Sequence, residues 1–370
     1  MKLLYFTIQI NMQGGLARIV IDKINWLVDH GYEVTLCNIE ALDVVPYYET
    51  DARVKLLRGD MQTTPGGILT RLKGTLATLR RLKEIIRQEQ PDVIVNAHTP
   101  LITWVLPFIC RRIPKVMECH QSRQGLEVFN QWAMSKTART LHRHAIRWIY
   151  GRYDRYVVLT HGDQDSWRLK NCIVIPNFSN YKPETEHPNP LSARQVIVLA
   201  RLMPQKRIDL MIRIWAKVAR EFPDWQLTVL GEGMQMEELK ALAVAEGVSD
   251  SFRMSGAVRD VTSYLEQSSI LCLTSEYEGF GIVLIEAMLK GLPVVAFEYV
   301  GVRDIIEDGV DGYVVPFGDV DAYAARLRQL MASAEERRRL RDNALVSVRK
   351  FDKEAVMQRW VELFHTLTSK

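Results

Sequence analysis

Two glutamates, Glu278 and Glu286, bracket the run Gly279-Phe280-Gly281-Ile282-Val283-Leu284-Ile285. Glu278 falls on a loop at the carboxyl end of an apolar run. Glu286 falls more than a turn inside an apolar helical segment, where a carboxylate needs a partner. That partner is either Lys290, four residues on in the favourable order, or a pair of ligand hydroxyls such as a ribose diol. Paired carboxylates also serve glycoside hydrolysis, but Glu286 is badly placed for it. A second set is cationic. Arg201 follows the apolar run Gln195–Ala200, and Lys206 precedes the next helix. Cations at a helix start oppose its dipole unless an anion lies between. A guanidinium and an ammonium converging on phosphate oxygens meet that condition. His120 stands just past the run Lys115–Cys119, at a strand end.

The glycines point to close backbone approach. Gly14-Gly15 joins a first strand to a first helix, where free N–H groups suit an anion. It is neither a dinucleotide fingerprint nor a P-loop. Gly231-x-Gly233 also leaves a strand and enters a helix, but Met236 stands where a third glycine is required for NAD binding. A turn lining a ligand site fits better. Asp163-x-Asp165 and Asp319-x-Asp321 have a form that can hold a divalent metal, yet both lie near helix starts, where Asp serves as cap or dipole partner. Five scattered cysteines with no C-x-x-C pair argue for reduced thiols, a cytoplasmic location and no metal site.

These residues require a scaffold of alternating elements. Short Val- and Ile-rich runs at Lys2–Ile10, Glu33–Ile39, Asp92–Ala97, Lys115–Cys119 and Tyr156–Leu159 alternate with amphipathic segments at 16–29, 68–89 and 133–150. This is the pattern of βαβ units in a parallel sheet. A proline-rich stretch, 181–193, interrupts it. The alternation then resumes with strands at Gln195–Ala200, Gln226–Leu230, Ile270–Leu273 and Pro293–Ala296. With 370 residues two domains are expected. The fold class is α/β: two Rossmann-like, doubly wound parallel-sheet domains facing across a cleft, 1–180 and 194–350, joined by 181–193 and followed by a helix in 351–370. Ligands of such sheets bind at the strand carboxyl ends.

At this point the motifs carry a resemblance. Gly14-Gly15-x-x-Arg18, His120, Val174-Ile175-Pro176-Asn177, Arg201 with Lys206, Gly231-x-Gly233, Ser255-Gly256-x-Val258 and Glu278-Gly279-Phe280-Gly281 with Glu286-Ala287 resemble the retaining family 4 glycosyltransferases of GT-B type. The last is the family's E-x7-E motif. The resemblance extends to bacterial enzymes that build glycans and lipid-linked oligosaccharides. It implies that Arg201 and Lys206 hold the diphosphate of a nucleotide-sugar donor, with UDP the favoured nucleotide, helped by Gly14 and Gly15. Glu286 then binds the ribose, Val258 lies by the base, and Glu278 with the backbone of Gly279, Phe280, Gly281 and Ile282 contacts the sugar. His120 faces that sugar, Gly231 lines the site, and the acceptor is a glycan or lipid-linked glycan bound by the first domain. The final helix crosses back onto that domain. No metal or other cofactor is implied. A sugar-nucleotide epimerase of the same architecture is the alternative. One departure is Phe178, where the family often has glycine.

Charge adds a partner. Residues 60–155 carry 16 Lys+Arg against 7 Asp+Glu. Residues 68–90 and 133–155 alternate apolar and basic residues at helical spacing, as in helices that lie on anionic membrane. Peripheral attachment at the inner face of a membrane is therefore expected. No nucleic-acid-binding module is visible.

Overall fold

The computed structural model describes residues 1–369 except 13, 41–44, 62–67, 98, 134 and 185–187. The chain forms two α/β units, Met1–Asn177 with Glu354–Lys370, and Phe178–Lys353. In the first unit, β1 (Lys2–Thr7), β2 (Glu33–Asn38), β3 (Lys55–Arg58), β4 (Val93–Asn96), β5 (Lys115–Glu118), β6 (Arg155–Val158) and β7 (Cys172–Val174) form one sheet. Its order is β3-β2-β1-β4-β5-β6-β7, and every pairing is parallel. The central strands are buried on both faces, which is why they read as continuous apolar runs. The strand order reverses between β1 and β4.

The last helix, Lys353–Thr368, buries Val356, Met357, Trp360, Leu363, Phe364 and Leu367. Those intervals of three and four place one stripe against a core. Near its start, Glu354 accepts a hydrogen bond from the Trp26 indole N–H at 2.9 Å.

The second unit holds β8 (Gln195–Leu199), β9 (Gln226–Leu230), β10 (Phe252–Met254), β11 (Ile270–Leu273), β12 (Val294–Phe297) and β13 (Tyr313–Val315). The order is β10-β9-β8-β11-β12-β13, again parallel throughout. Here the reversal falls between β8 and β11. The nine apolar runs read as strands are strands. The four that the pattern does not disclose, β3, β7, β10 and β13, are the four sheet edges. β7, β10 and β13 have three residues each, too few to stand out as a run, and β3 is mostly exposed. Phe178 is fully buried, and the Lys353 ammonium lies 5.6 Å from its ring centroid.

One buried hydroxyl fixes the strand ends that matter below. Tyr323, on the helix Val320–Ala332, accepts from the Leu273 N–H at 3.1 Å and donates to the Val295 carbonyl at 2.6 Å. It bridges the last residue of β11 and the second residue of β12. Burial pushes its phenol well above the ordinary tyrosine range, so it remains a donor. Tyr323→Phe strands both backbone groups in a dry site. It is expected to lower stability by about 1–3 kcal/mol, read from urea unfolding; an unchanged midpoint would show the bridge to be dispensable.

Candidate functional site

In open parallel sheets the crevice forms where strand order reverses. In the second unit that point lies at the ends of β8 and β11, and each is followed by one of the two loops singled out above. They are bonded together. Lys206 Nζ donates to Glu278 Oε1 at 2.6 Å, and Ser275 Oγ donates to the same oxygen at 2.7 Å. Thr274 Oγ1 donates to the Lys206 carbonyl at 2.9 Å, and the Glu276 N–H reaches the Gln205 carbonyl at 2.9 Å. The Lys206 and Glu278 side chains are 14% and 11% exposed, open enough to exchange partners with a ligand. Arg201 is exposed on the same loop. Arg207 instead forms a fork with Asp209, with both contacts at 3.0 Å.

The glycines answer to backbone contacts. A Cβ on Gly231 would sit 2.0 Å from the Ala200 carbonyl oxygen, and one on Gly233 would sit 2.3 Å from that of Leu202. The loop after β9 therefore lies directly on the Arg201 loop, joined by Leu202 N–H to Glu232 O at 2.8 Å. The loop after β10 joins through Gly231 N–H to Gly256 O at 2.8 Å; Val258 is half-buried on it. Gly281 has φ 96°, and a Cβ there would meet the Tyr299 hydroxyl at 2.3 Å. That hydroxyl donates to the Phe280 carbonyl at 2.9 Å. Burial and the nearby Glu278 charge raise the Tyr299 phenol well above its usual range, so this strut stays protonated. Gly281 heads the helix Ile282–Leu289 without a side-chain cap, which leaves leading N–H groups to satisfy an anion or water.

Glu286 is buried on that helix. Lys290 turns elsewhere: its ammonium donates to Glu266 Oε1 at 2.8 Å and lies 5.6 Å from the Tyr181 ring centroid. The i,i+4 partnership with Glu286 is not made with this ammonium. Of the aspartate pairs, Asp319 caps a helix, accepting from the Ala322 N–H at 2.9 Å. Asp163 sits in the first turn of a helix that Thr160 caps and accepts from the Arg123 N–H at 3.0 Å, so it also serves a neighbouring helix start.

The first unit holds the remaining residues. The Gly14 N–H donates to the Tyr48 hydroxyl at 3.3 Å; a Cβ on Gly14 would meet nothing within 4 Å. Gly15 begins the helix Gly15–Asp29, and Gln13 between it and the strand lies outside the described residues. His120 follows β5, its side chain 7% exposed, with Nε2 3.0 Å from Glu118 Oε1. Glu118 is also paired with Lys23, and both are 1% exposed. Burial would raise the Glu118 carboxyl, but Lys23 and His120 hold it down at about 2.

The description "Glycosyltransferase Family 4" matches residues 13–182, and "Glycosyl transferases group 1" matches residues 183–346. An alpha-D-kanosaminyltransferase of Streptomyces kanamyceticus is 30% identical over 74% of this chain and 76% of its own length. The chain belongs to the family 4 glycosyltransferases. The amylovoran biosynthesis glycosyltransferase AmsD of Erwinia amylovora is 25% identical over 98% of this chain and 99% of its own. In fold, the Anabaena protein HepE, solved in complex with UDP, superposes with TM-score 0.79 at 18% identity, covering 99% of this chain and 100% of that one. The two parallel-sheet units are thus those of a GT-B glycosyltransferase.

Sequence reasoning missed two features beside the candidate residues. Lys23 lies on the buried stripe of the helix Gly15–Asp29, among Ile19, Val20, Ile24 and Leu27; a lysine at a core position was the signal. The carbonyl contacts of Gly231 and Gly233 had none, because they depend on which strands become neighbours. Gly231→Ala combines a φ of 141° with a collision against backbone. It is expected to lower stability by about 2–4 kcal/mol, whereas Gly14→Ala leaves it unchanged; equal denaturation midpoints for the two variants would contradict this assignment.

Proposed function

We propose that this glycosyltransferase moves a sugar from a nucleoside diphosphate, UDP by preference, onto a glycan or lipid-linked glycan. The reaction retains anomeric configuration, takes place without a metal or other cofactor, and serves polysaccharide or glycoconjugate assembly. The observation that carries the reading is the Lys206–Glu278 pair at the reversal point of the second sheet. A diphosphate brings more negative charge than Glu278 offers. It draws Lys206 away and frees Glu278 to accept from a sugar hydroxyl. Arg201, Lys206 and the leading N–H groups of the helix Ile282–Leu289 then stabilise the charge that develops on the departing diphosphate. Glu286 takes the ribose diol, and Val258 lies by the base. Gly14 and Gly15 assist at the diphosphate, Gly231 keeps the Arg201 loop in place, and the backbone of Gly279, Phe280, Gly281 and Ile282 contacts the sugar. His120 faces that sugar from the first unit. Glu278 positions and is not a nucleophile. The polysaccharide role draws support from the amylovoran relative, and the choice of UDP from the UDP complex of a protein of the same fold.

The reading includes a membrane-borne acceptor. On the first unit Trp104, Phe108, Leu141 and Trp148 are exposed. Phe108 and Trp148 stack at 5.6 Å, and the Arg152 guanidinium lies 4.8 Å from the Trp148 ring centroid. Arg143 and Arg147 stand exposed on the same helix, Lys136–Tyr150. Aromatic rings among arginines suit the headgroup level of an anionic leaflet. No helix of the described residues is long and apolar enough to cross a membrane. The side chains of 68–72 and 129–133, within or beside the two basic segments, lie outside the described residues.

UDP is expected to raise the thermal midpoint by about 3 °C or more, and Lys206→Ala to abolish the shift; no stabilisation by any nucleoside diphosphate contradicts the reading. Turnover of a UDP-sugar to an isomer without acceptor supports an epimerase instead. In flotation, the protein is expected to rise with anionic but not neutral vesicles, and a Phe108→Ala, Trp148→Ala double variant to stay behind. Equal partitioning to both vesicles removes the membrane from the account.

A further inference from the structure

The proposed donor accounts for the charged groups of the second unit, but in the first unit it leaves the buried Lys23–Glu118 pair behind His120 without a part. Lys23 comes from the helix Gly15–Asp29, Glu118 from the end of β5, and His120 from the turn after it. Glu118 Oε1 serves both neighbours: Lys23 Nζ donates to it, and His120 Nε2 lies 3.0 Å away. The other side of Lys23 is covered by the C-terminal helix, with the ammonium 3.8 Å from the Trp360 ring centroid and 5.9 Å from that of Tyr5. Among the described residues, Glu118 Oε2 and Tyr5 Oη make no hydrogen bond, and the His120 Nε2 approach to Glu118 Oε1 is a close charge contact rather than an aligned hydrogen bond.

Such a cluster is a poor way to stabilise a core. Apolar residues of similar volume do as well or better, because each buried ion loses its hydration. Unpaired buried polar atoms add to the cost. The arrangement makes sense if it sets the state of the one member nearest the surface. A carboxylate can only accept, so it selects the ring nitrogen that carries hydrogen. The Lys23 ammonium keeps Glu118 ionised, and the Trp360 π-face stands in for the water the ammonium has lost.

We propose that Lys23 and Glu118 are positioning residues for His120, fixing its Nε2–H tautomer and ring orientation, and that Trp360 completes the device by covering Lys23. His120 then presents Nδ1 as the nitrogen free to accept, and the C-terminal helix becomes part of the apparatus behind it. The role of His120 at the sugar rests on the proposed function; its tautomer does not.

The experiment is therefore run on the whole protein in two arms. In the first, histidine labelled with nitrogen-15 reports the tautomer, with His120 assigned by loss of its signals in His120→Ala. Wild type is expected to show one Nε2–H form. The double variant Lys23→Met, Glu118→Gln removes both buried charges together, so its thermal midpoint stays close to wild type, and His120 becomes a mixture of tautomers. Trp360→Leu moves the His120 signals in the same direction, and Trp360→Phe restores them. In the second arm, UDP-glucose, UDP-galactose and UDP-N-acetylglucosamine are the turnover probes. The double variant is expected to lose about tenfold or more in kcat while the UDP-induced thermal shift is kept. Unchanged His120 signals in a folded double variant overturn the proposal. If wild type turns over none of the three sugars, the proposed function suffers and the tautomer arm still decides this one.

Discussion

Lys206 and Glu278 stand 72 positions apart, and their meeting depends on one topological fact. The second sheet runs β10-β9-β8-β11-β12-β13, so the first strand of the unit and the fourth become neighbours and their trailing loops share one edge. Everything around the pair secures that edge. Gly231 and Gly233 let the β9 loop lie on the β8 loop without clash. Tyr323 ties β11 to β12 from behind, and Tyr299 props the loop that carries Glu278. The pair then settles a local conflict, since a lysine beside a helix start and a glutamate on a half-buried loop are each unfavourable alone. Together they form a charge-assisted bond of about 1.5–3 kcal/mol that a stronger anion can displace.

Much of this architecture was legible because interior strands of parallel sheets are buried on both faces. Runs such as LLYF, VIV and ILCL announce themselves. Edge strands do not, being short and in one case, Lys55–Arg58, mostly exposed. The candidate site was legible where chemistry was unusual for its place: cations before a helix, an acid in an apolar helix, a histidine at a strand end. It was illegible where partners come from distant sequence. The i,i+4 rule offered Lys290 to Glu286, but the lysine went to Glu266, 24 residues away, because tertiary neighbours outweigh a helix pair of a few tenths of a kcal/mol.

The first unit poses the opposite problem. Its ion pair is fully buried and would be cheaper as hydrocarbon, and it is covered by a helix from the far end of the chain, whose final residues belong to that unit. The second unit places its charges where a ligand can take over their bonds. The first hides two of its charges behind an imidazole that is itself only slightly exposed. The same sheet architecture thus supports two uses of charge, one exchangeable and one permanent.

The central claim is that Lys206 is held by Glu278 until a diphosphate takes it. Calorimetric titration of UDP into wild type and Glu278→Gln tests this directly, because the nucleotide bears no sugar for Glu278 to contact. If the claim holds, the variant binds UDP about fivefold tighter, roughly 1 kcal/mol, since Lys206 is released beforehand and a like charge is removed. Equal or weaker binding by a folded Glu278→Gln protein would contradict it.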